Sequence, residues 1–175
     1  SRYSHLAIHP YPAALEAIEK LRDGTEVTLR PIRPEDADME TAFITELSDE
    51  SRYLRFLSLV RHVTPEMVAR FTQIDYDREM ALIATRREAD GQEGIIGVAR
   101  YVRDPNPASA EFAIVIADRI QRKGLASKLM GRLLAHARYA GIMRIRGIVL
   151  ASNSSMLELM ARLGFEVFPD AEDPS

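Results

Sequence analysis

Apolar positions follow two rhythms along this chain, and the rhythm changes near residue 75. Before that point most runs have helical spacing. Residues 1–10 read as extended and run into HPYP, whose two prolines disfavour helix. YPAALEAIEKLRDG (11–24) spaces Leu15, Ile18 and Leu21 as a helix does, with Pro12 in the first turn and Gly24 as the stop. EVTLRPI alternates as a strand does. Pro34 then opens a helix carrying Met39, Phe43 and Leu47 at i, i+4 and i+8, with Glu35 and Asp36 near its positive end. Ser48 is placed to cap a third helix, SRYLRFL, and Thr64-Pro65-Glu66 opens a fourth, TPEMVARFTQI.

After residue 75 strands take over. EMALIATRR and GIIGVARYVRD flank READGQEG, where Asp90-Gly91 signals a hairpin. SAEFAIVIAD is apolar at nearly every position, as a strand buried on both faces would be. A helix follows from Gly124, with Leu125, Leu129 and Leu133 as its core stripe. Then come the strand MRIRGIVL, a helix from Asn153 stopped by Gly164, and a short strand FEVF. This order predicts an α+β fold, an α/β sandwich with a mixed, mostly antiparallel central sheet and helices on both faces. Residues 25–175 read as the domain. Residues 1–24 read as an N-terminal extension and helix.

Composition narrows the function classes. At 175 residues, with 46% hydrophobic and 28% charged residues, the chain suits a single globular domain. A net charge of -3 and the lack of a basic-aromatic array argue against nucleic acid as the partner. No apolar run approaches the length of a membrane span. The absence of cysteine removes disulfides, thiolate metal sites and a Cys nucleophile, and fits a reducing cytoplasm. His5, His9, His62 and His136 lack metal-ligand spacing, so no metal is expected.

The chemistry gathers at DRIQRKGLASKLMGRLL (118–134), where a charged run becomes a helix around one glycine. A helix N-terminus offers unpaired N–H groups and a positive dipole end. Gly124 and the small Ala126 let an anion approach that backbone, while Arg122 and Lys123 add charge. Neither GxGxxG nor GxxxxGK[ST] is present, so the usual dinucleotide and P-loop cradles do not apply.

VIADRIQRKGLA (115–126) resembles the acetyl-CoA motif of the GNAT N-acetyltransferases, with Gln121, Gly124 and Ala126 on its [QR]-x-x-G-x-[GA] core. The resemblance covers roughly residues 26 to 168 and includes NSSMLELMARLGFEVF. It implies a GNAT fold and acetyl-CoA as co-substrate. The pantetheine arm would lie along Ile114, Val115 and Ile116. The pyrophosphate would sit on the turn Gln121, Arg122, Lys123, Gly124, Leu125, Ala126 and Ser127. Asn153 would contact CoA as well as cap its helix. More narrowly, HLAIHPYP, TLRPIRPEDA, TQIDYDREMALIA and AEFAIVIAD resemble the acetyltransferase module of bacterial Pat-type protein lysine acetyltransferases. That resemblance implies a protein lysine as acceptor, with an acyl-CoA synthetase as the protein. It also implies a fused domain related to acyl-CoA synthetases, with residues 1–24 as the connection.

Attack on a thioester needs a neutral amine, and holding lysine neutral near pH 7 costs about 4–5 kcal/mol. Glu111 is the only acid inside the apolar strand leading into the turn, which makes it the candidate general base. Burial there would raise its pKa, and Pat-type enzymes carry a catalytic glutamate at the matching place. The resemblance also assigns a backbone N–H at Ile114 or Val115 to the thioester oxygen. Two features depart from the family. Many members carry tyrosine seven residues after the asparagine, as general acid for the leaving thiolate; here that position is Met160. The family sheet also has one strand more than this pattern provides. Asp75, Tyr76 and Asp77 read as a polar turn or as an attractor for a cationic substrate. Arg52, Tyr53 and Arg55 fall where the family builds its acceptor cleft. Two other functions remain open at this stage: acetylation of a small amine, and a non-catalytic acetyl-CoA sensor.

Overall fold

The computed structural model describes residues 11–48, 64–149 and 153–169. Six strands lie side by side in chain order: β1 (Ala17–Lys20), β2 (Glu26–Pro31), β3 (Glu79–Arg87), β4 (Glu93–Arg103), β5 (Ser109–Ile116) and β6 (Arg144–Gly147). Neighbours are antiparallel from β1 to β5, and β5–β6 is a parallel pair. Among the described residues four α-helices accompany them: α1 (Ala37–Glu46), α2 (Pro65–Thr72), α3 (Leu125–Tyr139) and α4 (Ser154–Arg162). The expected class, mixed sheet and helix placement are all present. Short turns make the meander: Gly91, at φ +81°, closes the β3–β4 hairpin, because left-handed backbone carries no steric penalty at glycine.

Alternation along β4 sorts the helices by face. Gly97 and Tyr101 face α3. A Cβ on Gly97 would stand 2.9 Å from Ile116 Cδ1 and 3.1 Å from Leu129 Cδ1, so glycine lets the helix settle close to the sheet. Tyr101 Oη lies 2.9 Å from His136 Nδ1 on the same helix. Arg100 points the other way, and its guanidinium is 3.7 Å from Glu40 of α1 and 5.2 Å over the Phe71 ring of α2. Burial pushes the Arg100 pKa down, against the pull of Glu40. Leu125, Leu129, Met130 and Leu133 of α3 are all buried against the sheet.

Two expected elements differ. The helix over 11–24 is not formed: Ala13–Leu15 makes one 3-10 turn, and Ala17–Lys20 is strand β1, paired from Ala17↔Leu29 to Lys20↔Glu26. Pairing with a neighbouring strand overrides a helical spacing of three apolar residues, and Ile18 is left 67% exposed. Residues 17–20 are therefore part of the domain's sheet. FEVF forms no strand either: Phe165 packs on Phe112 at 5.3 Å between ring centres, and Phe168 is 75% exposed. SRYLRFL, with Arg52, Tyr53 and Arg55, lies outside the described residues, as do His5, His9 and His62. Among the described residues no helix is long and apolar enough to cross a membrane.

Candidate active site

β5 is paired along both edges at its start and along one edge at its end. On one side it pairs with β4 from Arg103↔Ala110 to Gly97↔Ile116. On the other, its register with β6 runs from Ser109↔Arg144 only to Phe112↔Gly147. Beyond that point the two strands separate and a cleft opens. The cause is local. The Phe112 ring crosses the backbone of Gly147, where a Cβ would stand 2.5 Å from the ring. Only glycine allows that approach.

The register decides which backbone groups face the cleft. Ala117 N–H donates to Ile96 O and Asp104 N–H to Ser109 O, at 2.9 and 2.8 Å. Odd-numbered residues of β5 therefore exchange hydrogen bonds with β4, and even-numbered ones direct theirs away from it. Of the two expected donors, Val115 is turned toward β4 and Ile114 toward the cleft. Ile116 follows Ile114. Together they offer a short strand edge, with Ile114, Val115 and Ile116 all lining the cavity.

The turn between β5 and α3 forms the far wall. Gln121, Arg122, Gly124, Leu125 and Ala126 all line the cavity. Arg122 has φ +68° and Gly124 φ +87°. Left-handed backbone at a non-glycine residue costs about 1–2 kcal/mol, and two such residues in a tight turn gather N–H groups into an anion-binding concavity. The α3 N-terminus opens at that point, and Gly124 is its N-cap residue. Acetyl-CoA fits this donor set: a strand edge for an amide-bearing arm, then a concave turn of N–H groups for phosphates. Lys123 and Ser127 do not line the cavity. Ser127 is exposed, and Lys123 Nζ pairs with Asp23 at 3.0 Å. Arg119 pairs with Glu46 at 3.4 Å and also with Glu88.

Asn153 caps α4 by accepting from Met156 N–H at 3.2 Å, and it lines the same cavity. Ile120, Ser155, Met156 and Leu159 line it too and were not anticipated. The signal for the last two was present, since Met156 and Leu159 stand three and six residues after the cap, on one helix face. Met160, at the position of the absent tyrosine, is buried in the core.

Glu111 is one residue before the Phe112–Gly147 seam. Its side chain projects on the Arg100 face, toward the α1–α2 side. The expected burial is not found: the side chain is 43% exposed, with Arg146 of β6 at 3.8 Å. It stands opposite Arg146 in the last paired stretch of β5–β6 and is not among the residues that line the cavity. Arg146 is held mainly by Asp104 through contacts of 2.6 and 3.1 Å, which keep the Asp104 carboxyl below its usual range. The Asp75 side chain accepts from Asp77 N–H at 3.1 Å, and the Tyr76 hydroxyl donates to Ile32 O, so this stretch is a built turn.

Comparison with known proteins follows the same lines. The acetyltransferase (GNAT) domain family profile matches residues 26–166. An acetyltransferase of Pseudomonas aeruginosa is 35% identical over 156 residues, spanning 89% of this chain and 83% of that protein. The acetyltransferase Pat of Mycolicibacterium smegmatis is 35% identical over 147 residues, 83% of this chain but only 43% of that protein's length. Among solved structures, the GNAT domain of S. lividans PAT superposes with a TM-score of 0.80 at 32% identity, covering 94% of this chain and 96% of that one.

Proposed function

Since the chain belongs to the GNAT family of acetyltransferases, we propose that it acetylates a lysine side chain of a protein, with acetyl-CoA as donor and an acyl-CoA synthetase as the substrate class. The observation that carries this reading is the split beyond Phe112–Gly147, which leaves the Ile114–Ile116 edge facing a turn of N–H groups. The protein target is supported by the Pat-type stretches of the sequence and by the likeness to the PAT domain. Within this reading the protein works in the cytoplasm. A fused domain is supported by the match to less than half of the Mycolicibacterium Pat.

Acetyl-CoA, when bound, supplies an activated thioester. Ile114 and Ile116 hold its arm by backbone pairing. Gln121, Arg122, Gly124, Leu125 and Ala126 seat the phosphates, and Asn153 lines the opposite wall. Ile114 N–H polarises the carbonyl oxygen, in a cleft whose apolar walls strengthen that bond. Glu111 accepts the proton of the incoming ammonium, directly or through one water. Its exposure makes it reachable by a lysine on a protein surface. With Met160 in the core, no side chain at that position protonates the departing thiolate, and water takes that role.

The test is acetylation of a bacterial acetyl-CoA synthetase with acetyl-CoA, located by mass spectrometry. Modification of one lysine is expected. Turnover of free small amines without any modification of protein would replace the substrate class. Binding without transfer to either would replace catalysis with sensing.

A further inference from the structure

A segment far away in sequence borders the β5–α3 turn, although none of its residues lines the cavity itself. The β1–β2 connection, residues 21–25, lies against that turn. Arg22 N–H donates to Lys123 O at 3.2 Å. Asp23 pairs with the Lys123 ammonium at 3.0 Å and accepts from Thr25 N–H at 2.9 Å. Hydrogen bonds from Thr25, then from Lys123, hold the Asp23 carboxyl well below the usual carboxylate range. The Arg22 side chain runs over Gly124: a Cβ there would stand 3.3 Å from Arg22 Nε and 3.5 Å from its Cγ. Two further contacts tie the same hairpin to α3, from Glu19 to Lys128 at 3.2 Å and to Arg132 at 2.6 Å.

Counting charge at the seat separates the cations. Lys123 is neutralised by Asp23, and Arg119 by Glu46 and Glu88. Arg122 and Arg22 make no ion pair with a carboxylate among the described residues. A guanidinium also suits phosphate, because its fork of donors matches two oxygens at once.

Resting on the acetyl-CoA reading above, we propose that Arg22, rather than Lys123, joins Arg122 as the second cationic side chain for the phosphate groups of CoA, and that Asp23 keeps Lys123 from that role. The β1–β2 hairpin then borders the rim of the site, and Gly124, favoured there by its left-handed backbone, leaves room for Arg22 beside it.

Calorimetric titration of CoA into the 175-residue chain tests this, with circular dichroism confirming the fold of each variant. Arg22→Gln is expected to weaken binding about 10-fold and to reduce its dependence on salt. Lys123→Gln should change it by less than about threefold, as removal of an exposed pair does. Arg22→Lys should recover part of the loss, since charge is kept. Unchanged affinity in Arg22→Gln, a Lys123→Gln loss as large as that of Arg22→Gln, or an Arg22→Lys no better than Arg22→Gln would each overturn the assignment. A folded wild type that binds no CoA would overturn the acetyl-CoA reading itself, and the role of Arg22 with it.

Discussion

The two edges of β5 have the same backbone chemistry and opposite fates. Toward β4, the pairing runs through to Ile116. Toward β6, it stops at Phe112. An unpaired strand edge is usually a liability, open to any chain that can add a strand. Here the free edge is short, lies between the β5–α3 turn and the start of α4, and adjoins Glu111. One edge gives the sheet its integrity and the other gives it a template. The Phe112 ring on Gly147 marks the point where they begin to differ.

That contrast can be broken from either side. Phe112→Ala removes the ring that marks the seam and its packing on Phe165, and should destabilise the protein by about 3–5 kcal/mol in denaturant unfolding. Glu111→Gln should leave both edges and CoA affinity intact while lowering kcat about 10²-fold, or about 2.7 kcal/mol of barrier, in an acetylation assay. Equal rates for the two proteins would remove Glu111 from the chemistry and leave proton removal to water or another group. Gly147→Val drives a Cβ into the Phe112 ring and should cost about 1–3 kcal/mol by thermal unfolding, with weaker CoA binding as the seam shifts. Gly124→Ala should cost about 1 kcal/mol from its left-handed backbone, and should weaken CoA binding more than its stability loss alone suggests, because the methyl meets Arg22.

The smallest effect belongs to the closed side. Burial, with the Arg103 charge adding to it, holds the His136 pKa below its ordinary 6.5. The unfolded chain therefore takes up that proton first as pH falls, so the contribution is full above pH 6.5 and is lost as pH drops below it. His136→Gln should flatten the acid slope of stability measured by urea unfolding, without altering CoA affinity.

Legibility followed sequence distance. β2 to β5, the start of α3 at Gly124 and the Asn153 cap were readable because alternation, capping and turn residues act within a few positions. β1 was misread because Leu15, Ile18 and Leu21 satisfy helical spacing, while the partner that makes residues 17–20 a strand is β2. FEVF has the composition of a strand, but Phe165 is taken up by Phe112. The pairing of Lys123 with Asp23 was not legible because the two stand a hundred residues apart. Arg22 carried no motif at all. The exposure of Glu111 was hidden for a related reason: an apolar run reads as buried, and nothing in it announces that the parallel partner leaves one residue later.

The connections also set an order of assembly. β3, β4 and β5 are joined by turns of five residues, 88–92 and 104–108, whereas 27 residues including α3 separate β5 from β6. Local hairpins close before long crossovers do. β6 is thus expected to dock after β3, β4 and β5 have paired, so its amides should exchange with solvent ahead of those of β3 and β4. A ligand seated in the split binds beside this late strand, and by mass action it lends the native state the stability that the strand lacks.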